Sequence, residues 1–510
     1  MYSKVYSAIA YGLSAQLVSI EVDIISSQLP GFSIVGLPDK SVQESKDRVI
    51  SAIKNSGFDF PRKKIVINLA PADKLKVGAF YDLPIAISIL KATNQIDTLI
   101  DLDKLIFLGE LSLDGTLRAT DGVLPISLHL RELGDFDGIV LPYDSANEAA
   151  IVKTHNVYGF KHIKDLIEAI NSNELNNYKH IYREDEEEQN YQYLFEHIVG
   201  QEEMKRACLI GVAGNHNMLF VGSPGAGKTM VAKCIPSILP EMSEDEMIEV
   251  TKIYSSAGLL ENKSLIKKRP FRSPHHTSSV VSIIGGGRIP RPGELTLAHR
   301  GVLFFDELTE FPVSAIEALR QPLEDRCVTI SRVNATFKFP ANFIFVGAMN
   351  PCKCGWYGDA ERQCTCSSVE IERHRKKISG PIMDRIDLQV WVRRVPTQTI
   401  ASSQNNINTK YTSANMLDTV RRVRKMQLER YNKENFTTNS EIPSSKVDKY
   451  CKMNDDAKSI LLNFMNKNNL SMRSYFKILK VALTINMIEN RGEVINKESV
   501  LEAIKYRITI

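Results

Sequence analysis

Three uninterrupted apolar runs mark the middle of the chain: MLFV at 218–221, VLFF at 302–305 and FIFVGAM at 343–349. Runs this short without polar alternation suit strands buried on both faces, and helical stretches lie between them, so the pattern predicts a parallel α/β core. Upstream, residues 1 to about 170 mix strand and helix signals. KIVINLAP (64–71) predicts a strand ending at proline, LPIAISIL (83–90) a buried helical turn or two, and DGIVLP (137–142) a short buried strand. The N-terminus, MYSKVYSAIAYGLSAQLVSIEVDI, predicts a first strand or hairpin. Its apolar part is broken by Gly12, Ser14 and Gln16 and has only one early lysine, which argues against a signal peptide. At the other end, Leu470, Ile478, Leu479, Ala482, Leu483 and Ile485 recur near the helical period, so the last segment reads as helices.

Two polar stretches separate these regions. The first carries the acidic run from Glu184 to Glu188, and the second is TQTIASSQNNINTKYTSAN at 397–415. Like charges without apolar periodicity read as solvated linkers. The expected organisation is residues 1–175, a linker at 176–194, an α/β core at 195–395 and a helical domain at 396–510. That fits 510 residues at roughly 150 per domain. No internal repeat is visible.

Composition adds little beyond a soluble globular class: 43% apolar and 24% charged. Sixty-four basic against sixty acidic residues give a net charge of +4, so any nucleic-acid surface must be local. No run reaches the ~18 apolar residues of a membrane helix, which makes the cytoplasm the expected location and no membrane partner expected.

The strongest chemical signal is Gly222-Ser223-Pro224-Gly225-Ala226-Gly227-Lys228-Thr229, which fits G-x-x-x-x-G-K-[ST] between a strand and a helix. Its glycines let backbone N–H groups face phosphate oxygens, Lys228 neutralises the β- and γ-phosphates, and Thr229 offers a hydroxyl to Mg²⁺. VLFF runs into Asp306 and Glu307, the pattern of a Walker B strand. Asp306 is expected to hold Mg²⁺ and Glu307 to activate the attacking water. Asn350 ends the next apolar strand, where its amide could orient that water. ATP and Mg²⁺ are the cofactors these residues call for.

Walker A, Walker B and a sensor asparagine on successive strands, followed by helices, look like an AAA+ ATPase. More narrowly, RPFRSPHHTSS (269–279), PRPGELTLAHRGVLFFDEL (290–308), NPCKCGWYGD (350–359), CTC (364–366) and SGPIMDRIDL (379–388) closely resemble the ComM/YifB family of magnesium-chelatase-like AAA+ proteins. GFSIVGLPDKSVQESKDRV (31–49) and GELSLDGTLRATDGVLP (109–125) extend the resemblance over nearly the whole chain. It implies a homohexameric ring with ATP between subunits. On that reading Arg385 looks like the arginine finger and Arg473, in LSMRSYFKILKV, like sensor 2 on the helical lid. A transferring phosphoryl group calls for the fixed, planar, permanently charged donor that arginine supplies. The resemblance further implies an ATPase coupled to DNA translocation, a branch-migration helicase serving natural transformation, with recombinase machinery among the expected partners. The rival is a chelatase subunit driving Mg²⁺ into a porphyrin; the cysteine cluster and the fused N-terminal domain weigh against it.

The first 170 residues resemble the Lon-protease-type fold, ribosomal S5 domain 2-like. Where that family carries its serine this chain has Phe80, and where it carries its lysine this chain has Gly122-Val-Leu-Pro125. Neither group of a Ser–Lys dyad is present, so peptidase activity is not expected and a scaffold or DNA-contacting collar is.

Four of the eight cysteines cluster: Cys352, Cys354, Cys364 and Cys366. C-x-C-x₉-C-x-C can complete a tetrahedral structural Zn²⁺ site; buried free thiols or a redox pair remain open. Two basic segments are candidate DNA contacts. Residues 262–300 hold Lys263, Lys267, Lys268, Arg269, Arg272, Arg288, Arg291 and Arg300 against Glu294 alone. In SRVNATFKFPANF (331–343), Arg332 and Lys338 flank an expected hairpin. Such loops would bind phosphates, single-stranded or branched, without reading sequence.

Overall fold

The structure is a computed structural model, and it describes residues 1–26, 29–72, 75–184, 191–260, 263–287, 290–332, 335–395 and 409–507. Residues 185–188 of the acidic run, residues 397–408 of the second polar stretch and Arg288 lie outside the described residues. The chain divides into two compact units. One comprises Met1–Glu187, Glu244–Ile266 and Arg288–Arg291; the other comprises Glu188–Ser243, Lys267–Gly287 and Pro292–Ile510. The basic segment 262–300 is thus shared between the two.

The expected α/β class holds. In the first unit a hairpin, Tyr2–Tyr11 and Ser14–Ile25, starts a seven-stranded mixed sheet. Lys64–Ala70 pairs antiparallel with the second hairpin strand, and Gly31–Val35 pairs parallel with Lys64–Ala70 to form one edge. Lys64–Ala70 alternates buried and half-exposed residues, burying Ile65, Ile67 and Leu69. The apolar run at 83–90 lies in a helix, Asp82–Ala92, that is buried almost all round. At the dyad positions, Phe80 lies against Tyr81 with ring centroids 4.6 Å apart, and Gly122 is the N-cap of helix Val123–Leu133. A Cβ at Gly122 would come within 2.8 Å of Ala10 Cβ, and its φ of 75° is one that L side chains rarely adopt, so a side chain there would be strained. Helix Glu244–Ala257 belongs to this unit, where Ser255 donates to the half-buried Glu148 carboxylate at 2.5 Å.

In the second unit a five-stranded sheet is parallel throughout. Its order is Phe271–Arg272, Val302–Phe305, Ile344–Met349, Met218–Gly222 and Leu388–Val392. The three apolar runs are its three central strands, buried on both faces, as their lack of alternation requires. The C-terminal helices share one hydrophobic core with this sheet: Val212, Val346, Val420, Ile478 and Leu483 belong to the same cluster. The stripe read from the sequence lies on helix Met472–Ile488, apart from Leu470. Leu470 precedes that helix because Ser471 is its N-cap and accepts a bond from the Ser474 N–H.

Candidate nucleotide site

The strand order assembles the site. In an open parallel sheet, functional groups gather beyond the carboxyl ends of the strands. Here Gly222 opens the phosphate loop, Asp306 follows the Val302–Phe305 strand and Asn350 follows Ile344–Met349, and these strands are adjacent. Residues more than a hundred positions apart therefore meet.

The loop 223–227 leads into helix Lys228–Cys234. Gly225 and Gly227 take φ of 78° and 86°, which L side chains rarely adopt, and the space a Cβ would occupy at each is open. Backbone N–H groups thus lie at a helix N-terminus free of side chains, the arrangement that cradles a phosphate chain. Lys228 is buried; its ammonium donates to Gly222 O, to Ser223 O at 3.1 Å and to Asn350 Oδ1 at 3.1 Å. Burial pushes its pKa down to about 8, against the raising influence of Asp306 and Glu307.

Thr229 Oγ1 donates to Asp306 Oδ2 at 2.7 Å. That places a hydroxyl and a carboxylate side by side, hard oxygen donors suited to Mg²⁺. Glu307 adopts a left-handed backbone, φ 50°, with its N–H on Asp306 Oδ1 at 3.0 Å. A non-glycine residue held there costs about 1 kcal/mol or more, a strain typical of active sites. The Glu307 carboxylate is exposed, with His276 Nδ1 3.8 Å from Oε2.

The four cysteines come together: all four Sγ lie within 4.8 Å of one another, with Cys352 to Cys354, Cys352 to Cys364 and Cys354 to Cys364 at 3.4, 3.6 and 3.5 Å. None is in a disulfide. A tetrahedral Zn²⁺ with sulfur ligands at about 2.3 Å would set sulfurs nearly 4 Å apart, so the donor set fits that ion. This loop adjoins the phosphate loop. Ser223 donates to Asp359 Oδ2 at 2.6 Å, and a Cβ on Gly355 would strike Pro224 at 2.7 Å.

Arg385 and Arg473 do not bond the Walker residues of their own chain. Arg385 donates to Glu324 and to Pro381 O at 2.8 Å, and Arg473 donates to the same Glu324 carboxylate at 2.7 Å. Below them Asp387 is buried. It accepts from Lys477 Nζ at 2.5 Å and from the Asn217 N–H at 2.9 Å; the Lys477 ammonium, with the His216 ring 3.8 Å away, holds its pKa far below the carboxylate range despite burial. Lys477 also donates to Arg385 O at 2.8 Å, so one lysine ties the helix bearing Arg473 to the backbone of Arg385. These groups line a cavity of about 510 Å³. Glu324, Asp359, Asp387, His276 and Lys477 escaped the sequence reading, although all but Glu324 fall inside the motifs RPFRSPHHTSS, NPCKCGWYGD, SGPIMDRIDL and LSMRSYFKILKV.

The expected hairpin forms from Cys327–Arg332 and Ala335–Pro340, with Lys338 opposite Thr329 and Arg332 opposite Ala335. Arg332 and Lys338 are both exposed. In the other basic segment two arginines are structural braces. Arg269 donates to Pro240 O, Arg300 O and Glu241 O at 2.6, 2.8 and 3.1 Å, and Arg272 forms a two-point pair with Glu294 at 2.7 Å.

Comparison with known proteins matches three family descriptions in chain order. These are Subunit ChlI of Mg-chelatase over residues 20–145, Magnesium chelatase, subunit ChlI over 194–400, and Magnesium chelatase, subunit ChlI C-terminal over 410–507. Competence protein ComM of Haemophilus influenzae is 40% identical over 509 residues, 99% of this chain and 97% of its own. The chain belongs to the ComM/YifB family of magnesium-chelatase-like AAA+ ATPases. Escherichia coli YifB is 36% identical over 99% of this chain and 97% of its own. The magnesium-chelatase subunit ChlI of Euglena gracilis, a more distant relative, is 25% identical over 31% of this chain and 52% of its own. Among the described residues no helix is long and apolar enough to cross a membrane.

Proposed function

We propose that this ComM/YifB-family chain is one subunit of a homohexameric ATP-driven DNA motor, a branch-migration helicase that helps foreign DNA integrate by homologous recombination alongside recombinase machinery. The observation that carries the ATPase part is the convergence of Lys228, Thr229, Asp306 and Asn350 at the ends of three adjacent strands. The phosphate loop and Lys228 hold the β- and γ-phosphates. Thr229 and Asp306 are the residues that would hold Mg²⁺, which supplies charge neutralisation at the transferring phosphoryl group. Glu307 accepts a proton from the attacking water, and Asn350 orients that water. Arg385 and Arg473, away from their own phosphate loop, serve the ATP of the neighbouring subunit.

The DNA part is supported by the family relative named a competence protein and by Arg332 and Lys338 exposed on a hairpin. The chelatase reading draws on the names of the family matches, but the Euglena gracilis chelatase subunit aligns with only 31% of this chain, whereas the competence protein aligns with 99%. Turnover of ATP by purified protein separates the two. The motor reading expects stimulation by single-stranded DNA and none by a porphyrin; stimulation by the porphyrin alone contradicts it.

A further inference from the structure

The first unit carries a groove of about 680 Å³ at the sheet edge formed by Gly31–Val35. Three rings line it, Phe32, Phe58 and Phe60. All three are half-buried and pack against the core of the unit, which fixes them, and Phe32 and Phe60 stack with centroids 6.4 Å apart and planes 26° apart. Four cations surround the rings: Lys46, Lys54, Arg62 and Lys63. Asp59 is the single acid among the lining residues. No side chain of these four cations forms an ion pair or hydrogen bond among the described residues.

Local structure produces this arrangement. Lys46, Ile50 and Lys54 recur at intervals of four on helix Lys40–Asn55, so they form one stripe. The adjoining face, with Val42, Val49, Ala52 and Ile53, is buried. The loop that follows is pinned: Gln95 accepts from the Asp59 N–H and donates to Asp59 O, both at 2.8 Å. Phe58 and Phe60 are therefore presented by a held loop.

We propose that this groove binds single-stranded nucleic acid, with phosphates on the four cations and bases against the phenylalanines. The inference rests on the DNA-motor reading and gives its N-terminal unit a task. Cations alone would serve an acidic protein equally well. Fixed rings interleaved with unpaired cations are what stacked bases on a phosphate backbone require, and such a surface tolerates any sequence. With a net charge of only +4 over the chain, an excess of three positive charges in one groove is a local concentration of that kind.

The test uses the full chain, a slowly hydrolysed ATP analogue and a labelled single-stranded oligonucleotide bearing a photoreactive halogenated uracil. The double variant Lys54→Glu/Arg62→Glu, both positions exposed, should bind at least ~10-fold more weakly at low salt, and its log–log salt slope should be shallower by about 1.4. Phe60→Leu should lower affinity about fivefold at every salt concentration and leave the slope unchanged. ATP turnover without DNA should stay at the wild-type rate in both. Crosslinks on wild-type protein should map to residues 57–63. If Phe60→Leu fails to fold, the double variant and the crosslinks still decide. Wild-type affinity and slope in the double variant, or crosslinks confined elsewhere, overturn the proposal while leaving the motor reading intact. Displacement of the oligonucleotide by polyglutamate, with Phe60→Leu binding both ligands as wild type does, overturns it in favour of an acidic protein. A wild-type ring that binds no oligonucleotide overturns the motor reading itself.

Discussion

Arg385 and Arg473 donate to one carboxylate, that of Glu324. Two guanidinium groups from distant parts of the chain are thereby gathered on one side of a cavity, and Arg385 Nε keeps no partner among the described residues. Such a pair meets an incoming phosphate with its charges already placed. Arg385→Ala should lower ATP turnover by about 10³-fold, as for other lost arginine fingers. Mixing Arg385→Ala with Lys228→Ala subunits should restore part of the activity, since each can supply half of a mixed interface. Glu324→Ala should lower kcat by about tenfold with KM unchanged, because two long side chains lose their tether. Mixed rings of proven co-assembly that show no recovery would contradict action between subunits.

The charge on Lys228 is the form that holds phosphate. Burial disfavours that form and brings its pKa down to about 8, so the cation is present below pH 8 and is lost as pH rises through it. ATP binding to the Mg²⁺-loaded protein should therefore weaken above pH 8, with KM rising while kcat changes less. A KM flat from pH 7 to 9.5 in buffers of constant ionic strength would show that Lys228 keeps its proton throughout.

Each chain should carry one zinc on Cys352, Cys354, Cys364 and Cys366, detectable by elemental analysis of protein purified without added metal. The Ser223–Asp359 bond and the Gly355–Pro224 contact join the cysteine loop to the phosphate loop. Cys352→Ser/Cys366→Ser should thus raise KM for ATP as well as abolish zinc. Protein with negligible zinc and four freely titratable thiols would rule the metal out.

Arg332 and Lys338 are exposed on the hairpin and should contact phosphate. Arg332→Ala/Lys338→Ala should weaken junction binding alike for all sequences and reduce the log–log salt slope by about two. An unchanged slope would remove the hairpin from the DNA path.

The parts read most directly from the sequence are those made by contiguous residues. The phosphate loop, the Walker B strand and the sensor strand each carry their own pattern, and parallel sheet order brings them together. The cysteine cluster was legible for the same reason, since its spacing spans fifteen residues. What escaped were pairings over long sequence distances. Nothing in the sequence around Glu324 announces that Arg385 and Arg473 will meet on it, and Arg269 and Arg272 look like any other surface cations until their acceptors are seen. The Asp387–Lys477 pair is of this kind too: a buried charge reads as an ordinary aspartate until the strand and the lid helix are placed in one core.

Whether the chain is an ATP-driven motor on branched DNA is decided most directly on a synthetic four-way junction with one labelled strand. Wild-type protein with ATP and Mg²⁺ should resolve the junction by branch migration. Glu307→Gln should bind ATP and the junction yet migrate it at least ~10²-fold more slowly, as expected when a general base is lost. A wild-type protein that hydrolyses ATP but leaves the junction intact, or a Glu307→Gln protein that migrates it at the wild-type rate, would contradict the account.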